Sequence, residues 1–209
     1  MDPHIIRDAT QLRQVIGAEI PGLAAKNIDF LDSFAVEFIE RSPFLILATS
    51  DQVGNLDASP KGDAPGFVEV ADDHTLLLPD RPGNKLAYGH LNILETGKAG
   101  LIFMIPGTRE TLRVNGDAEL TADPELLARL AARGKPATLV LRLKVREAFF
   151  HCAKAFIRSQ LWQPESWAEP MKVSFGEIFA ARGTEIAEQR KAVAEQVDNA
   201  VEADYKDNL

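Results

Sequence analysis

The stretch from Phe44 to Lys85 decides the fold, because two short apolar runs in it each lead into a polar loop. It reads FLILATSDQVGNLDASPKGDAPGFVEVADDHTLLLPDRPGNK. The runs at residues 44–49 and 75–78 are bounded by turn-forming residues, which is typical of buried strands. The segments that follow contain small polar residues and three cations: Lys61, Arg81 and Lys85. Small polar residues and cations at strand ends are suited to holding an anion, so these loops are the candidate functional site.

Composition narrows the class of protein. The chain has 209 residues, 45% of them hydrophobic, which is enough to bury the core of one domain, and we expect residues 1–209 to form a single unit. No apolar run reaches membrane-spanning length, and the N-terminus lacks the order of a secretion signal, so a cytoplasmic location is expected. The single cysteine excludes an internal disulfide and suits a reducing compartment. A net charge of -8 argues against general affinity for nucleic acid or anionic membranes.

Helices are predicted at both ends of the chain. Within about residues 8–41, apolar residues at helical spacing predict one helix that ends at Pro21-Gly22 and a second from about Asn27 to Glu40. The tail from about 174 to 209 has apolar residues, Ile186 among them, spaced between many charges. It is expected to form one or two helices that pack on the rest of the protein or on a second subunit.

Between the helical ends, the pattern predicts six or seven antiparallel strands. Their expected ranges are 44–50, 56–59, 66–70, 75–78, 99–105, 110–120 and 137–150. Short helices are expected at residues 84–94 and from Asp123-Pro124 to Gly134. The strand at 99–105 is almost wholly apolar and is predicted to be buried on both faces, whereas the strand at 110–120 alternates and puts Arg113 on its polar face. Regular antiparallel strands favour a closed or partly closed barrel, and a β-sandwich is the competing architecture.

Four segments resemble one known family. They are SPFLILATSDQVGNLDASPKGDAPGFV, LPDRPGNKLAYGHLNILETGKAGLIFMIPG, ETLRVNGDAEL and EAFFHCAKAFIRSQLW, in this order along the chain. Together they resemble the pyridoxamine 5′-phosphate oxidase-like, FMN-binding split-barrel proteins, and most of all the branch described only as probable FMN-dependent enzymes. The resemblance implies a mainly β protein: a six-stranded antiparallel split barrel with flanking helices. It also implies a homodimer with one FMN in each of two clefts at the dimer interface.

The resemblance further implies a set of cofactor-binding residues. They are Ser59, Pro60, Lys61, Arg81, Asn84, Lys85, Arg113, Lys154, Arg158 and Trp162. Residues 59–61 match the family strand that runs beside the flavin ring, and residues 81–85 match the loop that grips the phosphate. Arg113 stands where pyridoxamine phosphate oxidases direct a glutamine toward the flavin. Residues 154–162 fall in a late motif that is expected to cover the cleft.

The function that follows from the resemblance is that of an FMN-dependent oxidoreductase acting on an unknown small molecule. Flavin N5 would accept or give the hydride, so no side chain need act as a catalyst. No Rossmann or Walker pattern is present, so NADH or NADPH would dock only transiently as reductant. The alternative is a flavin-binding or haem-handling split barrel without turnover. A third possibility is a structural dimer with an empty cleft.

Three further expectations are negative. Pyridoxamine phosphate oxidases form part of their substrate site near a C-terminal arginine and histidine, whereas residues 201–209 are acidic and contain neither. That oxidase activity is therefore not expected. His151 and Cys152 are adjacent, so on a strand they would face opposite sides and could not act as a pair, and a buried or inert thiol is expected. No His, Cys or carboxylate spacing matches a metal site.

Overall fold

The computed structural model describes residues 2, 4–183 and 187–208, and its centre is one antiparallel sheet. Seven strands are found in this part of the chain: β1 Phe44–Ser50, β2 Leu56–Gly62, β3 Glu69–Asp72, β4 Thr75–Pro79, β5 Lys98–Met104, β6 Thr111–Thr121 and β7 Val140–His151. Their order in the sheet is β2-β1-β5-β6-β7-β4-β3. All seven belong to one sheet, so the alternative of a two-sheet sandwich is wrong.

Seven α-helices flank the sheet in the described residues. They are α1 Ala9–Ile16, α2 Ser33–Arg41, α3 Tyr88–Thr96, α4 Pro124–Arg129, α5 Lys154–Ser159, α6 Phe175–Gly183 and α7 Ala187–Asn208. Short 3-10 turns occupy Leu23–Lys26 and Pro164–Ser166. None of the described helices is both long and apolar enough to cross a membrane.

The predicted split barrel with flanking helices is confirmed, although it has seven strands rather than six. No strand pairing joins the edge strands β2 and β3 in the described residues, so the barrel is open there. Along β1, buried Leu45 and Leu47 alternate with half-buried Phe44 and Ile46. The inner face packs with Ile39 and other residues of α2 and with Ile93 of α3. Apolar burial on this scale is the main favourable term in folding.

Several predicted boundaries are wrong for local reasons. The second helix begins at Ser33 rather than near Asn27, because the Asp32 side chain accepts a hydrogen bond from the Ala35 amide and caps the helix there. β2 continues to Gly62, so residues 59–61 lie in a strand, and β3 begins only at Glu69. The helix predicted at 84–94 begins at Tyr88, and α4 ends at Arg129. β5 is buried on one face only, not on both.

The two ends of the chain form helices that leave apolar side chains exposed. No residue of α1 is buried within one copy. In the tail, α6 packs on α7 so closely that a Cβ on Gly176 would lie 2.0 Å from the Ala194 carbonyl oxygen. Asp198 of α7 accepts hydrogen bonds from Ser174 Oγ and the Gly176 amide, which fixes the start of α6. The predicted Ile186 lies outside the described residues.

Candidate functional site

The loop between β4 and α3 presents unused hydrogen-bond donors. Lys85 is exposed and makes no hydrogen bond or ion pair with the described residues. The Asn84 side chain accepts a hydrogen bond from the Leu86 amide at 3.0 Å, which shapes the loop. Lys85 and Ala87 both have positive φ, of 62° and 55°. Ala87 is the N-cap of α3 and provides no side-chain cap, so the first amides of the helix remain available to an anion.

Arg81, at the start of this loop, has a structural role that its sequence context does not reveal. Its Nε donates to Asp63 Oδ2 at 2.8 Å, and its Nη1 donates to the Leu130 carbonyl oxygen at 2.9 Å. The Arg81 side chain therefore ties the ends of β2 and β4 to the end of α4. Its Nη2 makes no hydrogen bond to the described residues. Arg81 can thus offer one terminal nitrogen to a ligand while its other donors support the fold.

Asp63 is the buried anchor of this arginine. Its side chain is only 4% exposed, and Arg133 lies 3.8 Å away as a second cation. Burial alone would raise the pKa of Asp63. The hydrogen bonds from the Ala64 amide and from Arg81 outweigh that effect, with help from the charge of Arg133, and hold the pKa below its ordinary value. Asp63 therefore stays ionised at neutral pH and keeps Arg81 in place.

The polar side chains of β2 face α3 rather than solvent. The side chains of Asp57, Ser59 and Lys61 lie on the same face of the sheet as the core residues of β1 with which this strand pairs. Ser59 Oγ donates to Asp57 Oδ2 at 3.1 Å, and Lys61 Nζ donates to Asp80 Oδ1 at 2.7 Å. Lys61 is thus neutralised by Asp80 in this arrangement. Pro60 points to the opposite face, because neighbouring residues of a strand alternate.

Gly89 lets α3 approach these polar side chains. A Cβ on Gly89 would lie 3.1 Å from Asp57 Oδ2 and 3.5 Å from Thr49 Oγ1, so the missing side chain lets the helix lie directly against these polar groups. On the next turn, Asn92 Nδ2 donates to Thr49 Oγ1 at 3.1 Å. The helix N-terminus is therefore held over β1 and β2 by polar contacts as well as by Ile93.

His90 completes the polar cluster beneath α3. Its Nε2 lies 3.5 Å from the Asp80 oxygen that Lys61 already contacts, and its side chain is 16% exposed. Burial lowers the pKa of His90 below its ordinary value, and the nearby Lys61 adds to this effect. The charges of Asp80 and Asp57 oppose the shift without reversing it. His90 is therefore neutral at physiological pH.

Acidification should consequently weaken the packing of α3. A histidine whose pKa is depressed in the folded state contributes stability above its unfolded-state pKa of 6.5, and this contribution is lost as the pH falls through the folded value. Between pH 7.5 and 5, the free energy of unfolding of the wild type should therefore fall more steeply than that of His90→Gln. Urea unfolding at a series of pH values measures both slopes. His74→Gln, at an exposed histidine, is the matched control, and identical slopes for all three proteins would refute the role of His90.

Arg113 lies on the other face of the sheet from Lys61. Arg113 pairs with Ile102 of β5. Ile102 pairs on its other side with Ile46 of β1, and Ile46 pairs with Pro60 of β2. Arg113 and Pro60 are therefore on one outer face, three strands apart. The structure brings the residues at positions 59, 61, 81, 84 and 85 to the region around α3, but it does not bring Arg113 into that group within one copy.

The late motif forms α5 and the turn after it. Lys154 and Arg158 are exposed and have no ionic partner among the described residues. Trp162 is half-buried: its Nε1 donates to the Thr108 carbonyl oxygen at 2.8 Å, and its ring stacks on Phe156 with centroids 5.7 Å apart. The aromatic pair attaches α5 to the β5–β6 turn. The two cations of this motif remain available to a ligand or partner.

Two further expectations concern Cys152 and metal-binding clusters. Cys152 is exposed, so of the expected buried or inert thiol the buried alternative is wrong, and the inert one stays a prediction. Within the described residues, no group of three or more His, Cys, Asp or Glu side chains is placed to hold a metal ion.

Sequence reasoning missed the two acidic partners of the cations and the histidine that lies beside one of them. Asp63, Asp80 and His90 were not selected, although Asp63 and Asp80 lie within two residues of the candidate cations at the ends of β2 and β4. Acidic residues beside cations at strand ends are a usable signal for ion pairing. The pairing itself depends on which strand ends meet, and a single sequence does not specify this.

Comparison with known proteins identifies the family. The sequence profile described as pyridoxamine 5'-phosphate oxidase matches residues 31–152, which is more than half of the chain. The chain belongs to this family. No curated protein matches it.

Solved structures similar to the chain cover little more than half of it. A variant of HupZ from Group A Streptococcus has 18% sequence identity and a TM-score of 0.48, and the match covers 58% of this chain and 99% of that one. An FMN-binding protein from Syntrophomonas wolfei has 15% identity and a TM-score of 0.43, with 56% and 88% covered. General Stress Protein 26 from Bacillus anthracis has 10% identity and a TM-score of 0.43, with 55% and 88% covered.

Proposed function

We propose that the protein binds FMN and is an FMN-dependent oxidoreductase acting on a small molecule. The observation that carries the proposal is the loop of residues 81–87, which leads into the uncapped N-terminus of α3. Its donors are Lys85 Nζ, Arg81 Nη2 and the first amides of the helix. A phosphate with nearly two negative charges fits this donor set, because helix N-termini and cations both favour anions. The resemblance of four sequence segments to FMN-binding split-barrel proteins is the reason to propose FMN as the phosphate ligand.

The rest of the cofactor site would be formed by residues that do not touch the phosphate. Residues 59–61 of β2 run past this loop and would support the ring and the ribityl chain, with Ser59 as a hydrogen-bonding partner. Arg113 would reach the flavin only from another copy of the chain, since it lies across the sheet from Lys61. Lys154, Arg158 and Trp162 would close the cleft from outside and exclude water.

The chemistry in this proposal belongs mainly to the cofactor. FMN, when bound, supplies hydride exchange at its N5 atom. The chain supplies binding and orientation: Arg81 and Lys85 hold the phosphate, and Asp63 keeps Arg81 in position. The half-buried, neutral His90 and the Lys61–Asp80 pair would support the position of α3 beside β2. NADH or NADPH is the proposed electron donor, and it would dock transiently.

An absorbance spectrum followed by anaerobic titration tests this function. The purified protein, supplied with FMN, should show the bands of a bound flavin that differ from those of free FMN. NADH or NADPH should bleach them, and reoxidation by an added acceptor should restore them. Flavin that binds but is reduced by neither nucleotide would indicate a flavin-binding protein without turnover. A protein that takes up no FMN would overturn the whole proposal.

The protein is further expected to be a homodimer. Large apolar side chains on the helical ends face solvent in one copy: Val15 of α1 is 71% exposed and Phe179 of α6 is 61% exposed. A two-fold partner can bury such surfaces, and a stable interface typically buries about 1,600 Å² in total. Sedimentation velocity should give the mass of two chains. A stable monomer that still holds FMN would contradict this expectation.

A further inference from the structure

Arg113 differs from the other half-buried arginines because it has no acidic partner. Among the described residues, Arg81 pairs with Asp63 and Arg142 pairs with Glu119. Arg113 makes no hydrogen bond or ion pair with the described part of the chain, and its Nε is buried without a partner there. A buried donor without a partner costs about 1–3 kcal/mol, and a charged one more. The terminal nitrogens of Arg113 also have no partner in the described residues and are not buried like Nε, so they are the donors that an anion from outside this copy of the chain can reach.

A second cation lies against the same aromatic ring. The Arg113 Cζ is 5.8 Å from the centre of the Phe149 ring, and Lys26 Nζ is 5.2 Å from it. Lys26 also donates to the Phe150 carbonyl oxygen at 3.3 Å, which holds it beside β7. Two positive side chains therefore converge on one half-buried aromatic ring in a protein whose net charge is -8.

Glu147, the acidic residue two positions before Phe149 on β7, is already occupied. It accepts hydrogen bonds from Asn27 Nδ2 at 2.7 Å and from Asn115 Nδ2 at 2.9 Å, one on each carboxylate oxygen. It makes no ion pair with Arg113 or Lys26. One carboxylate also leaves the two cations with a net positive charge, so the surface around Phe149 is suited to a further anion.

The shape and polarity of the surroundings narrow the class of ligand. In the row of paired residues that contains Arg113, the neighbours are Phe149 on β7 and the apolar Ile102, Ile46 and Pro60 on the other side. A sheet face of this kind offers a flat, apolar surface. The planar fork of a guanidinium matches a carboxylate with two parallel hydrogen bonds. The ligand should therefore combine a flat apolar body with one carboxylate.

We propose that Arg113, Phe149 and Lys26 form a binding site for an aromatic carboxylic acid. The carboxylate would bind the terminal nitrogens of Arg113, and the ring would lie over the apolar row. Within one copy this site lies on the opposite face of the sheet from Lys61, and its test does not require bound FMN; in a dimer, where Arg113 would reach the flavin of the other copy, the acid would lie beside that flavin. If both proposals hold, the acid is a substrate or inhibitor of the flavin reaction.

Calorimetric titration with 2-naphthoate and the neutral 2-naphthylmethanol tests the site. A hydrogen-bonded charge pair should make 2-naphthoate bind about tenfold or more tighter than the alcohol. Arg113→Gln should remove this preference and leave the affinity for the alcohol unchanged. Arg142→Gln, at a half-buried arginine that already pairs with Glu119, is the matched control and should keep the preference. Flavin content is read separately from absorbance, so failure of this site and failure of FMN binding give different results.

Either of two results would overturn the proposal. One is binding of 2-naphthoate to the wild type that is no tighter than binding of the alcohol, and the other is a preference that persists in Arg113→Gln. Should Arg113→Gln fail to fold, Lys26→Gln replaces it, because the Lys26 side chain is exposed. The preference should then fall by about threefold, as expected for a partly exposed charge, and an unchanged preference would overturn the proposal.

Discussion

Replacing Lys85 by alanine should weaken FMN binding by about ten- to a hundredfold and leave riboflavin binding unchanged. The Lys85 side chain is exposed and has no partner in the described residues, so its removal breaks no contact that supports the fold. A hydrogen bond to a charged group contributes about 1.5–3 kcal/mol, and only FMN carries the phosphate that would accept it. Titration calorimetry with the two flavins measures the difference directly.

The backbone conformation at residue 85 is compatible with alanine as well as with lysine. Lys85 has a φ of 62°, and alanine also has a Cβ, so both residues adopt this conformation at a similar cost. Lys144→Ala, at an exposed lysine on β7, is the control and should bind both flavins as the wild type does. Equal losses for FMN and riboflavin in Lys85→Ala would remove this loop as the phosphate site.

Arg81→Ala is expected to behave differently. Its side chain is bonded to Asp63 and to the Leu130 carbonyl oxygen, so truncation leaves the buried Asp63 without its main partner. The melting temperature should fall, and the affinities for FMN and riboflavin should both decrease. Arg81 is therefore a poor probe of phosphate contact, although the sequence presents it as equivalent to Lys85.

The strands could be predicted from the sequence because their signal is local. Alternation along residues 110–120 gives the buried and polar faces of β6, and Arg113 lies on the face that the pattern assigns to it. Helix boundaries were less predictable. Phe34 lies in the first turn of α2 and is 71% exposed, although helical spacing places it on the same side as the buried Phe38 four residues later.

The sequence predicts which cations belong to the candidate site but not which acidic residues they pair with. The cations Lys61 and Arg81 stand out in the sequence. Their partners Asp80 and Asp63 lie 19 and 18 residues away, and they meet only because the ends of β2 and β4 come together. The missing partner of Arg113 is equally a property of the sheet register. Long-range geometry therefore decides which of these cations remain free for a ligand.

Gly116→Ala should destabilise the protein by about 3 kcal/mol, because the added methyl group would overlap the backbone of the neighbouring strand. The pairing of β6 with β7 shifts register between Asn115 and Gly116, which is a β-bulge. A Cβ on Gly116 would lie 2.1 Å from the Lys144 carbonyl oxygen and 2.9 Å from a methyl carbon of Leu143. The first of these neighbours is backbone in a central strand, so relief requires the two strands to separate.

Gly100→Ala on the neighbouring strand β5 is the matched control for this effect. A Cβ there would lie 2.8 Å from Asn115 Oδ1, but that atom is the end of a side chain and can move away. Its cost should stay below about 1.5 kcal/mol, as for a tolerated core substitution. Urea unfolding of both variants gives the comparison, with the slope against urea as a check on two-state behaviour. If Gly116→Ala proves as stable as Gly100→Ala, then the close approach of β6 and β7 at Gly116 does not exclude a side chain there, and the steric argument is wrong.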